Sequence, residues 1–473
     1  MKSFSQLPPL DGFRFKAAQA GAVLLLGMFG SSAYAANYAV SSGTASFDCS
    51  NVNPGDTVTL AAGTRGPLKI TDCKGSASSR IVIRNDVNGS SPTILQKSDG
   101  ASGGFVLQCY NCNYVVIDGT DKWNGAPSGR TYGIKATQSG SGGPTAFVKI
   151  LGRSSFVTIR GVEVDGKWPS LAKDGIGIDV NDHAIDAASN PGVWREGFLI
   201  EYNYVHNTEG EGVYVGPNYP QGDLPLRNIE IRNNLVEDTG WDGINLKMAV
   251  QGANSIHHNV IRRAGSKTDG TAGQHYGIGF YESNGKIYSN WVENSGETAI
   301  SHYMQYLPMS YGAQASEIYN NVVIKPGRTG PLAGNGITPG NSSGAAAAAP
   351  KIYNNTIVGA EGSGIKVGSD SPSGFIRDNI VVDSIGGAVS APGSVPQTNN
   401  LVGTSAKAMF VDAARLDFRL QAASPARNSG SSSFPATDYD GIARPQDSAA
   451  DVGAFEFHLS DVQPMPPDNL SVQ

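Results

Sequence analysis

The amino-acid sequence predicts an all-β solenoid in which every coil contains three parallel strands. Glycine is abundant, with 60 residues among 473, and the apolar residues do not recur at the 3.6-residue spacing of a helix. A short unit recurs along the chain, and an asparagine marks the same turn of each unit, at Asn203, Asn234, Asn259, Asn290, Asn321, Asn355 and Asn379. Repeats of roughly 20 to 35 residues indicate a solenoid, in which each coil stacks on the previous one.

Each unit reads as a strand, a turn asparagine, a second strand, a glycine turn and a third strand. One example runs from Ile231 to Leu246, and another runs from Ile287 to Ile300. No unit has the ten or more periodic residues that a helix requires, so a helix-containing repeat is excluded. Stacked coils lie about 4.8 Å apart, and inward asparagines can then hydrogen-bond along the stack.

Composition and charge restrict the possible partners. Hydrophobic residues make up 39% of the chain, which is enough for a large core and argues against disorder. The net charge is -6 and the chain contains no basic run, so we expect no nucleic-acid partner. We expect the protein to act as a monomer.

Residues 1–35 read as an export signal. Basic residues precede an apolar stretch, and Ala33-Tyr34-Ala35 is typical of a cleavage site. The apolar stretch is too short to span a bilayer comfortably, so we expect no membrane partner. The sequence therefore predicts a secreted protein, either extracellular or periplasmic.

The four cysteines lie in the first quarter of the chain, at Cys49, Cys73, Cys109 and Cys112. In an oxidising compartment they predict two disulfides. Cys49–Cys73 with Cys109–Cys112 is the simplest of the three possible pairings.

The repeat resembles a known fold family. Units such as Ile318-Tyr-Asn-Asn-Val and Gly243-Ile-Asn-Leu are similar to those of right-handed parallel β-helix proteins of the pectin-lyase-like superfamily, of the secreted bacterial type. The resemblance covers roughly residues 45–400. It implies a right-handed parallel β-helix, with an N-terminal cap and first coil over residues 36–80 and the β-helix over residues 81–403.

The tail, residues 404–473, carries a second resemblance. Segments such as Asp417-Phe-Arg-Leu and Asp451-Val-Gly-Ala-Phe-Glu look like the closing segment of many secreted bacterial β-helix proteins. The resemblance implies a C-terminal cap over the last coil. Such a cap is needed because the end of a solenoid exposes strand edges and apolar interior.

The third strand of each unit carries a row of polar and aromatic residues. If the apolar residue after each turn glycine points inward, alternation directs these residues outward: Tyr214, Asn245, Lys247, Tyr281, Ser301 and Tyr303. Long insertions flank the same strand, and loops gathered around one sheet build a groove. The predicted substrate-binding residues of this groove are Tyr214, Asn245, Trp241, His302 and His275.

Acidic residues precede the turn glycine on three successive units, at Asp174, Glu211 and Asp242. Stacked carboxylates repel one another unless a cation or a changed protonation state relieves the repulsion. We predict a calcium ion here, because calcium prefers oxygen ligands of this kind, and its shell could be completed by Glu209, Asp238 or Asp179. The alternative is that these carboxylates face solvent or accept hydrogen bonds from turn N–H groups.

Lys247 ends the stretch Asp242-Gly-Ile-Asn-Leu-Lys247. This stretch resembles the strand that bears the catalytic lysine in one family of β-helix pectate lyases, which implies that Lys247 is a base beside calcium. β-Elimination removes the proton α to a uronate carboxylate, and a lysine of lowered pKa can accept that proton. Tyr281 or Tyr303, on the next two coils, would protonate the leaving oxygen.

Three functions remain open from the sequence. The first is a lyase that cleaves an anionic, uronic-acid-containing polysaccharide, and a C5-epimerase would share its proton abstraction. The second is a glycoside hydrolase that uses the carboxylates, since those on adjacent coils would lie about 5 Å apart. The third is a non-catalytic surface module that binds glycans on its tyrosine-lined face.

Overall fold

Three long parallel sheets surround one apolar interior, and from Thr57 onward the chain enters them in the same repeating order. The computed structural model describes residues 35–98, 103–120, 132–171, 175–181, 189–190, 192–217, 223–269, 274–304, 316–327, 334–341, 349–369, 371, 373–431 and 435–458. Within these ranges the sheets contain 13, 12 and 12 strands. The chain is a right-handed parallel β-helix, as predicted.

We number the sheets in the order in which each coil enters them. Sheet I contains Asn37–Val40, Thr57–Leu60, Ile81–Asn85, Asn113–Asp118, Ser155–Arg160, Leu199–Glu201, Glu230–Arg232, Ser255–His257, Gly285–Tyr288, Ser316–Tyr319, Lys351–Tyr353, Phe375–Arg377 and Gln397–Thr398. Sheet II contains Gly63–Arg65, Thr93–Lys97, Ile134–Gln138, Val162–Asp165, Tyr204–Thr208, Leu235–Thr239, Val260–Arg262, Trp291–Glu293, Val322–Ile324, Thr356–Val358, Ile380–Val382 and Leu401–Gly403. Sheet III contains Ser46–Asp48, Leu68–Thr71, Phe105–Tyr110, Ala146–Leu151, Ile176–Val180, Val213–Val215, Ile244–Lys247, Ile278–Tyr281, Ile300–Met304, Ile337–Asn341, Ile365–Lys366 and Val389–Ser390.

The remaining elements are short. A small parallel sheet contains Arg195–Glu196, Leu226–Arg227 and Ala249–Gln251. The C-terminal segment contains the α-helix Ser405–Ala408, the 3-10 helix Ala413–Arg415 and the antiparallel strands Phe410–Asp412 and Asp417–Leu420.

Aliphatic side chains fill the interior of the coils. In sheet I, Ile231, Ile256 and Ile287 lie in register on successive coils and are fully buried. Burying one such side chain contributes about 1.5–3 kcal/mol. Because every coil repeats the same inward positions, this stabilisation recurs along the whole stack.

A ladder of asparagines, all buried except the half-buried Asn400, holds the turn between sheets I and II. The Nδ2 of Asn290 donates to Oδ1 of Asn321 at 3.0 Å, and the backbone N–H of Asn290 donates to the same oxygen at 3.0 Å. Equivalent side-chain bonds link successive members of the ladder, which are Asn203, Asn234, Asn259, Asn290, Asn321, Asn355, Asn379 and Asn400. The predicted asparagine stack is confirmed, and it extends one coil further than predicted, to Asn400.

The C-terminal segment packs on the outer face of sheet II. Phe410 and Phe418 are buried in one apolar cluster with Trp291 of that sheet. The Nδ2 of Asn354 also donates to the carbonyl oxygen of Asp451 at 3.0 Å. The described segment therefore caps a lateral face of the solenoid, whereas the sequence predicted a cap over the last coil. The reason is that the outward residues of sheet II are apolar there and need cover.

The cysteines pair as Cys49–Cys73 and Cys109–Cys112, which is the simplest pairing considered from the sequence. All four are buried. Residues 1–34 of the predicted export signal lie outside the described residues. Across the described ranges, no helix has the length and apolar character needed to cross a membrane.

Candidate active site

Sheet III presents two columns of side chains on its outer face. Strand register gives the first column as Asp179, Tyr214, Asn245, Gly279, Ser301 and Thr338. The second column, two residues further along each strand, contains Lys247, Tyr281, Tyr303 and Gly340. The residues between the columns, such as Leu246 and Phe280, point into the core. The structure therefore places all six residues of the predicted outward row on this face.

Lys247 lies on this face between two tyrosine rings. Its Nζ is 5.0 Å from the ring centroid of Tyr214 on the preceding coil and 5.4 Å from that of Tyr281 on the following coil. Among the described residues, Lys247 has no hydrogen bond or ion pair through this nitrogen. Burial lowers the pKa of Lys247, while Glu211 and Asp242 act in the opposite direction. Lys247 is thus a mostly buried amine that loses its proton at a lower pH than an exposed lysine.

Two buried carboxyl groups lie near Lys247, on the turn into sheet III. Glu211 is 2% exposed and Asp242 is 0% exposed. Burial, followed by the charge of Asp242, raises the pKa of Glu211 to about 8, and burial raises the pKa of Asp242 to about 7. Protonation therefore relieves the repulsion between the two carboxyl groups near neutral pH. A changed protonation state was one of the two ways, besides a bound cation, in which stacked carboxylates could avoid repulsion.

The register of the acidic residues differs from the predicted one. The N–H of Gly177 donates to the carbonyl oxygen of Glu211 at 2.9 Å, and the strand pairing places Ile176 opposite Glu211. The sequence alignment matches Gly175 to Gly212, whereas the structure places Gly177 opposite Gly212. This error of two residues is the reason why Asp174 was predicted in the acidic stack. Asp174 itself lies outside the described residues.

The described residues do not fit the predicted calcium ion. Calcium takes about six to eight oxygen ligands, but Asp242 already accepts hydrogen bonds from the N–H of Tyr276 at 2.8 Å and from Asn245 Nδ2 at 2.7 Å. The three acids expected to complete the shell are each paired with a cation, in the pairs Asp179 with Lys149, Glu209 with Lys267 and Asp238 with Arg263. The carboxyl pair therefore lacks the ligand set that calcium prefers.

Another acidic group lies on the outer face of sheet II, away from these columns. Within the described ranges, Glu163, Asp165 and His206 are the one group of three such side chains close enough to share a metal ion. Lys135 Nζ lies 2.6 Å from Glu163 Oε1 and 3.3 Å from Asp165 Oδ2. This lysine already supplies the positive charge that a metal ion would bring.

A charged cluster surrounds Trp241 at the turn into sheet III. Trp241 Nε1 donates to Asp269 Oδ2 at 3.1 Å, and Lys267 Nζ is 4.9 Å from the tryptophan ring. His275 is 0% exposed, with Nε2 3.4 Å from Asp269 Oδ1 and Nδ1 3.7 Å from Glu297 Oε1. Trp241 is half-buried at this turn, so its ring is partly accessible. His275 lies beneath the surface, and this position does not support the predicted contact between His275 and substrate.

His302 faces the interior of its coil, so its predicted contact with substrate is wrong. It is 0% exposed, with Nε2 3.0 Å from Ser283 O and Nδ1 2.8 Å from Ser316 Oγ. Burial lowers the pKa of His302 to about 4, so the ring is neutral at neutral pH. The physical reason is strand alternation, because His302 lies between the outward residues Ser301 and Tyr303.

Three solved structures of other proteins are similar to this one. Pectate lyase Pel9A is 13% identical with a TM-score of 0.41, and the match covers 89% of this chain and 96% of that chain. The alginate lyase from Paenibacillus sp. str. FPU-7 is 16% identical with a TM-score of 0.39, covering 77% of this chain and 99% of that one. The A-module of the Azotobacter vinelandii mannuronan C-5 epimerase AlgE6 is 14% identical with a TM-score of 0.39, and the match covers 74% of this chain and 91% of that chain. No protein-family model matches the chain, and no curated protein matches its sequence.

Two features of this face were not found from the sequence. The first is the buried ion pair of Lys149 with Asp179, which is next to Tyr214 in the first column. The second is the space left by Gly279, between Asn245 and Ser301 of the same column. The first was missed because the strand of Asp179 was aligned two residues out of register, whereas Gly279 stood in the sequence at the position equivalent to Asn245.

Proposed function

We propose that the protein is a secreted lyase that cleaves a uronic-acid-containing polysaccharide by β-elimination, with Lys247 as the general base. One observation carries this proposal. Lys247 Nζ is held between two tyrosine rings on the outer face of sheet III, with no hydrogen bond or ion pair among the described residues. An amine in this environment is more readily neutral than an exposed lysine, as a base must be.

The neighbouring tyrosines suit the second proton transfer of such a reaction. Abstraction of the proton α to the uronate carboxylate leaves a carbanion, which expels the oxygen at the β position and forms a double bond. The expelled oxygen needs a proton. Burial raises the pKa of Tyr281 well above its usual value, so this phenol keeps its proton until the leaving oxygen accepts it. Tyr303, next to Tyr281 in the second column, is the alternative acid.

The burial of the carboxyl groups disfavours the hydrolase alternative. A glycoside hydrolase needs two carboxyl groups in contact with the glycosidic bond, but Glu211 and Asp242 are 2% and 0% exposed. Asp179 is also buried and is paired with Lys149. A C5-epimerase remains the second candidate, because it begins with the same proton abstraction by Lys247.

The test is to incubate purified protein with polygalacturonate, alginate, glucuronan and chondroitin, each with calcium and with a chelator. Ultraviolet absorbance of the unsaturated uronate identifies elimination, and proton NMR of the recovered polymer identifies epimerisation. We expect elimination on at least one polymer. New reducing ends without the unsaturated product would indicate hydrolysis, and no change in any polymer would favour a glycan-binding module.

We expect Glu211→Gln to move the acid limb of the pH profile of kcat/KM to lower pH. Ionised Glu211, the form that predominates above its pKa of about 8, favours the ammonium form of Lys247 and raises the pKa of that lysine. Without that charge the pKa of Lys247 falls further, so the neutral amine is present at lower pH. Measurement of kcat/KM across the pH range checks the direction, with Glu361→Gln as a control several coils away. A shift to higher pH would contradict this electrostatic coupling.

A further inference from the structure

Gly279 leaves a gap in the first column of sheet III, beside the proposed catalytic residues. The neighbouring positions of the column are Asn245 on the preceding coil and Ser301 on the following coil. Two residues further along the same strand is Tyr281, which is in register with Lys247. The missing side chain therefore lies at the centre of the candidate site.

Neither backbone conformation nor the next coil explains this glycine. Gly279 is not among the residues with positive φ, so its backbone is open to any residue type. At Gly243 and Gly277, a Cβ would lie 2.6 Å from a carbonyl oxygen of the next coil. At Gly279 the three nearest atoms all belong to side chains. They are Tyr281 Cε2 at 2.5 Å, Asp242 Oδ2 at 3.0 Å and Tyr281 Cζ at 3.3 Å.

The ring of Tyr281 fills the gap. The ring lies back over Gly279, and in this position its centroid is 5.4 Å from Lys247 Nζ. A Cβ at position 279 would have to separate from the ring by roughly 1 Å to reach ordinary carbon–carbon contact. Because the overlapping atoms are at the far end of a side chain, the ring would move and the strand would stay.

We propose that Gly279 is a positioning residue, whose lack of a side chain lets the Tyr281 ring lie over position 279 and beside Lys247. This inference rests on the proposed function, in which Lys247 is the base and Tyr281 is the acid. A side chain at position 279 would separate these two groups. A displacement of about 1 Å in a reacting group costs on the order of 10²-fold in rate.

A double-mutant cycle of Gly279→Ala and Tyr281→Ala tests the coupling. Gly279→Ala is expected to lower kcat roughly 10²-fold with little change in KM. In the Tyr281→Ala background, the same substitution should cause no further loss, because the ring that it displaces is gone. Ser390→Ala is the matched control, at an exposed position on the last strand of the same sheet, and it should keep the wild-type kcat.

A second readout does not depend on any polysaccharide. In protein labelled with carbon-13 at the lysine Cε, the tyrosine rings shift the signal of Lys247, which Lys247→Met identifies. Gly279→Ala should move this signal toward that of an exposed lysine, and it should have no such effect without the Tyr281 ring. If no polymer is cleaved but the signal moves in this way, the positioning role holds and the proposed reaction fails.

The inference is overturned if Gly279→Ala changes neither kcat nor the Lys247 signal. It is also overturned if the substitution has equal effects with and without the Tyr281 ring. Should Gly279→Ala fail to fold, the double variant decides the matter. If the double variant folds and Gly279→Ala does not, the steric coupling is supported. If neither variant folds, Gly279 is required for packing against Asp242 and the inference is overturned.

Discussion

Lys247→Met is expected to lower the rate of elimination by roughly 10³-fold, which is in the range for loss of a general base. Methionine keeps much of the apolar stem between Tyr214 and Tyr281 but has no group that can take the proton. The measurement is the initial rate of unsaturated product on the best polymer. The thermal midpoint should change little, since Lys247 Nζ forms no hydrogen bond or ion pair with described residues.

Lys366→Met is the matched control for this change. Lys366 is an exposed lysine on a later strand of the same sheet, so its loss removes the same charge from the same sheet. The control should keep the wild-type rate. If Lys247→Met also kept that rate while its fold was intact, Lys247 would not be the base, and the proposed mechanism would be wrong.

Asn290→Ala is expected to lower the free energy of unfolding by about 3–5 kcal/mol. The side chain of Asn290 donates to Asn321 Oδ1, Ile256 O and Tyr288 O, and it accepts from the N–H and the Nδ2 of Asn259. Removing it leaves these buried partners unsatisfied, and each unsatisfied group costs about 1–3 kcal/mol, partly recovered by relaxation. Denaturant unfolding followed by circular dichroism measures the change.

Asn88→Ala provides the comparison for this prediction. Asn88 is exposed and lies outside the ladder, so its replacement should change stability by no more than about 0.5 kcal/mol. Equal effects of the two substitutions would show that the ladder contributes no more than a surface asparagine does.

The fold could be predicted because its signals are local and repeated. The turn asparagines and the apolar alternation recur in every unit, so an error in one unit is corrected by the others. The lateral position of the C-terminal segment could not be predicted in this way. It depends on the apolar outward residues of sheet II, such as Val322 and Ile380, and the sequence does not distinguish these from inward residues.

The candidate site was predicted less completely, because it depends on register and on ionic partners. The outward direction of Lys247 and Tyr281 follows from alternation within single strands. The acidic stack required the alignment of different strands, and an error of two residues placed Asp174 beside Glu211. The partners of Asp179 and Glu209 are lysines 30 or more residues away, so nothing near these acids in the chain indicated that their charge is neutralised.

The asparagine ladder has a direction as well as a position. In every pair that links Asn203 to Asn400, the amide of the earlier residue donates to the oxygen of the later one. The amide dipoles are therefore aligned head to tail along the axis. During synthesis from the N-terminus, each new asparagine gives the previous one its acceptor but awaits its own until the next coil is made. Each coil therefore completes the hydrogen bonding of the coil before it, and an asparagine without a later coil has no such oxygen for its own amide to donate to.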